Sequence, residues 1–179
     1  MTLRRSTFIL AIVVAMAAAA LTTVLVSAGT PGVTTASAGP VTRVQVARSR
    51  AITEAGNAWK TVAGSQVRVT VPEGRRALII ATWTAETACF EHDTTGADHR
   101  CSARILIGSA EGHPQSGLDF GIHQFAQNAT TNDVYGHAMQ RSATKGPGTH
   151  MVKVQIRSNA GPVGMQVDDW HLTVESFRA

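Results

Sequence analysis

The feature that most constrains this chain is alternation at period two, which runs from Val41 almost to the C-terminus while apolar spacing of the helical kind is nearly absent. Alternation puts successive side chains on opposite faces of an extended strand and so marks half-buried β-structure. In Gln66-Val67-Arg68-Val69-Thr70-Val71 the valines share one face, and Gln, Arg and Thr share the other. In Met151-Val152-Lys153-Val154-Gln155-Ile156-Arg157 the aliphatic residues alternate with Lys153, Gln155 and Arg157. Residues 77–86 begin apolar on both faces, as a central strand does, and end with Trp83 between Thr82 and Thr84. Further strands are expected at 103–108 and 118–123, with weaker ones at 41–48, 57–62 and 133–140, each bounded by Gly, Pro or Asn. Eight or nine short strands predict an all-β antiparallel sandwich of jelly-roll type.

The last strand breaks its own rhythm. Met165 and Val167 are odd-numbered, whereas Trp170, Leu172 and Val174 are even. A β-bulge at Asp168-Asp169 restores one inward face; burial on both faces is the alternative.

Upstream, Arg4 and Arg5 precede an apolar run from Phe8 to Val26 that only Thr22 and Thr23 interrupt, the pattern of a secretory leader. Cleavage is expected after Ala28 or, in the stronger Ala-x-Ala setting, after Ala38. Left uncut, the run is long enough to anchor the chain in a membrane. Residues 1–38 are therefore read as signal peptide, 39–56 as tether and first strand, and 57–179 as the sandwich domain. The small, turn-rich stretch 29–40 carries too little apolar surface to pack.

Export sends thiols into an oxidising compartment, so Cys89 and Cys101, the only cysteines, are expected to pair. They bracket the most polar stretch of the chain, which carries Glu91, His92, Asp93, Asp98 and His99. Carboxylate and imidazole together suit a divalent metal. Their spacing matches no fixed ligand motif, and a solvated loop is the simpler expectation. Asp168 and Asp169 are a second weak metal or acid–base candidate.

Seven histidines are scattered with neither a Gly-x-Ser-x-Gly turn nor a zinc-binding helix motif, so no catalytic residue is assigned and no cofactor is expected. Asn128-Ala129-Thr130 fits a glycosylation sequon and marks a surface loop. Of the tryptophans, Trp83 and Trp170 fall on apolar faces and belong to the core. Trp59, between Ala58 and Lys60, is the one left for a sugar-stacking surface.

Removing Arg4 and Arg5 with the leader leaves fourteen basic against twelve acidic residues, too small an excess for a nucleic-acid partner. Gly146-Pro147-Gly148-Thr149-His150 running into 152–155, and Asp168-Asp169-Trp170-His171-Leu172-Thr173-Val174-Glu175 after a Gly turn, resemble small secreted bacterial β-sandwich proteins. More distantly they resemble the complement globular-head and tumour-necrosis-factor-like jelly rolls, over residues 57–177. The resemblance implies a sandwich, sometimes trimeric, that binds ligands on its surface. This chain differs from the animal families in its scarcity of aromatics, and no catalytic residue carries over.

The expectation is a secreted, non-catalytic module that binds a glycan or protein surface at the cell envelope or in the medium. The alternatives are a carbohydrate-binding module using Trp59 and a metal-dependent hydrolase using the 91–99 loop.

Overall fold

In the computed structural model the described residues are 32–38, 41–49, 51–90, 99–115, 121–125, 134–158 and 164–178. Eleven strands account for nearly all of them: β1 Gly32–Ala38, β2 Val41–Arg48, β3 Ile52–Ala55, β4 Lys60–Val71, β5 Ala77–Phe90 and β6 His99–Ile107, followed by β7 Ala110–Glu111, β8 Gly121–Phe125, β9 Tyr135–Lys145, β10 Gly148–Ser158 and β11 Gly164–Arg178. Every pairing is antiparallel. One sheet has six strands in the order β1-β2-β11-β5-β9, with β3 also on β11; the other has five in the order β4-β10-β6-β7, with β8 also on β6. The chain switches repeatedly between sheets, so hydrogen-bonded neighbours are distant in sequence, as in a jelly roll.

The fold class is the one the alternation predicts. The strand count is higher because β1, β3 and β7 are additional, β3 and β7 being too short to show a period, while the segments expected at 57–62 and 66–71 form the single strand β4. A second difference lies in Gly32–Ala38, read from sequence as leader and tether, which pairs with β2 along its whole length. An edge strand needs only backbone hydrogen bonds, so absence of apolar surface does not exclude it. Cleavage after Ala38 would remove β1 and bare the edge of β2, whereas cleavage after Ala28 would keep it.

The core lies between the sheets. Val67 and Val69 of β4, Ile105 and Ile107 of β6, and Val152, Val154 and Ile156 of β10 face Ile79, Trp83, Leu172 and Val174 of the other sheet. Trp83 and Trp170 are fully buried, as expected from sequence. Their indole nitrogens find no acceptor among the described residues, so these side chains are held by packing alone.

Two bulges keep the inward rows in phase. In β11 the pairing jumps from Asp168↔Glu86 to His171↔Thr84, so Asp169 and Trp170 together face Ala85. Asp169 takes a positive φ of 41°, a conformation that aspartate tolerates better than most residues. Met165 and Val167 before the bulge and Trp170, Leu172 and Val174 after it are thereby all buried. The alternative of a strand buried on both faces is excluded, because Asp169 and His171 are exposed.

The second bulge is in β4. β10 skips from Lys153↔Gln66 to Gln155↔Thr61, which leaves residues 62–65 opposite Val154. Gly64 supplies the positive φ of 85° that this loop-out needs. Ser65 is buried; its hydroxyl is 2.8 Å from the carbonyl of Val62 and 3.3 Å from both the carbonyl and the amide of Val154. The side chain thus stands in for the strand backbone where the ladder is interrupted.

Candidate functional site

Cys89 and Cys101 form the disulfide expected from sequence, with their Cα atoms 6.0 Å apart. Cys89 belongs to β5 and Cys101 to β6, so the bond ties the six-stranded sheet to the five-stranded one. Both are fully buried. A disulfide of this kind is compatible with an extracellular location.

The polar loop that the disulfide closes was one candidate metal site. Glu91, His92, Asp93 and Asp98 lie outside the described residues, as does the sequon at Asn128, and only the backbone of His99 is described, at the start of β6. The other candidates, Asp168 and Asp169, are placed by the bulge. Asp169 donates its amide to Asp168 Oδ1 at 2.9 Å. Its side chain borders a shallow depression on the outer face of the six-stranded sheet, together with Glu86 and His137. The Nδ1 atom of His137 is engaged with Thr87 Oγ1 at 2.9 Å. Among the described residues no group of three or more His, Cys, Asp or Glu side chains is arranged to hold a metal ion.

Trp59 has the most developed surroundings of the sequence candidates. It immediately precedes β4, where Lys60 pairs with Ile156. Counting back from Val67, Val69 and Val71, odd positions should point into the core. The bulge at 62–65 reverses that parity, buries Val62 and puts Trp59 and Thr61 on the outer face.

There the half-buried indole meets two cations: the guanidinium carbon of Arg104 is 4.2 Å from the ring centroid and that of Arg157 is 4.6 Å from it. Each contact is within cation–π range and contributes about 0.5–2 kcal/mol, more as the pair is desolvated. A hydrogen-bonded row lies beside the stack. Thr61, Gln155 and Arg104 are register partners on three adjacent strands. Arg104 donates to Gln155 Oε1 from Nε at 2.9 Å and from Nη2 at 2.7 Å, and Gln155 Nε2 donates to Thr61 Oγ1 at 3.4 Å.

The electrostatics of this row are lopsided. Burial pushes the Arg104 guanidinium below its ordinary value; Glu111 partly opposes that, and the nearby positive charge of Arg157 adds to it. Glu111 is shared with Arg141, whose Nε is 4.0 Å from Glu111 Oε1 at the junction of the two sheets. Arg141 is almost wholly buried, and burial lowers its affinity for its proton too, against the pull of Glu111. Arg157 has no carboxylate partner among the described residues, and its buried Nε donates to nothing among them.

Gln155 and Arg157 were legible as outward-facing from the alternation of β10. Their meeting with Trp59 and Arg104 was not, because it needs the β4 bulge and the β6–β10–β4 register. Arranged this way, two guanidiniums and the edges of an indole offer cationic donors beside an apolar ring, which suits a ligand carrying both an acidic group and a C–H face. The chain matches no protein-family model, and no curated protein matches it in sequence.

Proposed function

We propose that this chain is an exported binding module whose recognition surface is the outer face of the five-stranded sheet around Trp59, and that the ligand is an acidic glycan. The observation that carries the reading is the packing of the Arg104 and Arg157 guanidiniums on the Trp59 ring, with Arg157 lacking any acidic partner among the described residues. Uronate carboxylates accept paired hydrogen bonds from guanidinium groups, and the edge of the indole left beside the arginines offers an apolar contact to the C–H face of a pyranose ring. Arg68 and Lys153 lie on the same face and extend its positive character along the strands, as an extended polymer requires. The jelly-roll-like strand order supports the distant likeness to surface-binding sandwiches, and the buried disulfide supports export.

Titration calorimetry of the purified chain with polygalacturonate and with neutral dextran tests this. Polygalacturonate should bind and weaken as salt rises, because screening acts on exposed charges. Trp59→Ala should weaken it about five- to thirtyfold through loss of the aromatic contact, and Arg157→Gln should weaken it while flattening the salt dependence. Equal binding of dextran, or indifference to Trp59→Ala, would overturn the assignment.

A further inference from the structure

At the end of the sandwich away from the disulfide the two inward faces do not fill the space between them. β11 continues its buried row from Val174 to Ser176, and β2 places Val44 and then Thr42 against it. Across the gap stands Val69 of β4, the edge strand of the other sheet. Where larger side chains would close the core, hydroxyls and valines leave a partly enclosed cleft of about 90 Å³.

Its lining has two characters. The floor is aliphatic, from Val44, Val69 and Val174; the mouth carries Arg68, Arg76 and Arg178, all exposed. No aspartate or glutamate lines it, and none of the three arginines makes an ion pair among the described residues. Natural interiors are packed with few such gaps, and an aliphatic group laid on the valines makes contacts that water does not. Three cations around one opening repel one another until an anion sits between them. Tail and headgroup therefore have separate reasons to enter the same space.

We propose that this cleft is a second binding site, for a short-chain aliphatic carboxylate whose tail lies on the valines and whose carboxylate is held by the arginines. A cavity of about 150 Å³ accommodates benzene, so this smaller one suits a chain of a few carbons. Apart from Arg68 at its mouth it shares no residue with the Trp59 surface, and its valine floor and Arg76 make it testable independently of the glycan reading.

The test is a titration of the purified full chain with acetate, butyrate, hexanoate and hexylammonium, followed through the methyl resonances of its valines. Hexanoate should shift the resonances of Val44, Val69 and Val174 saturably. Affinity should rise about fourfold per added methylene from butyrate to hexanoate, the factor expected for burying a CH₂ group. Arg76→Gln lies in the exposed connection between β4 and β5 and should keep the melting temperature while weakening hexanoate at least about fivefold, the share of one charge-assisted hydrogen bond. Acetate binding as tightly as hexanoate would reduce the site to a simple anion contact and overturn the proposal. Hexylammonium competing equally, or valine methyls that do not move, would overturn it as well.

Discussion

Deleting Asp169 is expected to leave no folded domain, whereas Asp169→Gly is expected to leave the fold intact. β11 is the most heavily paired strand of the six-stranded sheet, with β2 and β3 on one side and β5 on the other. Its inward row changes parity at the bulge, so removing one residue forces either Met165 and Val167, or Trp170, Leu172 and Val174, to the solvent face. Burying each of the latter is worth about 1.5–3 kcal/mol or more. Losing three, together with their ladder, removes an amount comparable to the whole stability of a domain, about 5–15 kcal/mol. Glycine at 169 accepts the positive φ more readily than aspartate, so it should change stability by less than about 1 kcal/mol. Asp169→Val puts a β-branched residue there and should cost about 1–3 kcal/mol. Urea unfolding of the three variants beside the parent separates these outcomes. A deletion variant that melts with the parent would show that the bulge does not set the register.

The second large effect is expected from the disulfide. Replacing both Cys89 and Cys101 by alanine should cost about 3 kcal/mol, since a bond spanning 12 residues of sequence mainly restricts the unfolded chain. For a domain of this size that is a fall of about 10 °C in melting temperature. The loss has a structural component too, because the buried bond is the covalent tie between the sheets at that end of the core. Calorimetry of the double variant, and of the parent after reduction in denaturant, should give matching drops. Coincident midpoints for oxidised and alanine forms would mean that the bond contributes nothing to stability.

The candidate site and the fold differ in how far each was legible. The valines of β4 and β10, the burial of Trp83 and Trp170, the cysteine pairing and the bulge at Asp168-Asp169 were all readable before any coordinate. Trp59 was not. Its neighbours in sequence, Ala58 and Lys60, carry no period, and simple extrapolation from Val67 sends it into the core. Gly64-Ser65 was the available signal: a glycine interrupting a strand marks a bulge. Arg104 lies 45 residues from Trp59, and only the register of β6 on β10 and β10 on β4 brings it to the ring. Arg141 is a further case, an arginine whose neighbours give no hint that it is buried against Glu111 where β7 approaches β9.

Alternation, turn residues and a lone cysteine pair pointed to two antiparallel sheets, to many of the side chains between them and to a bulge at Asp168-Asp169, with burial of the last strand on both faces as the alternative. These are properties of neighbouring residues, and a period of two is written locally. Tertiary structure alone decided that Trp59 faces outward against two arginines, that Gly32–Ala38 pairs as a strand, and that the sandwich stays open near Val44 and Val174. Each depends on which strands pair and in what register, and that choice belongs to the whole core at once.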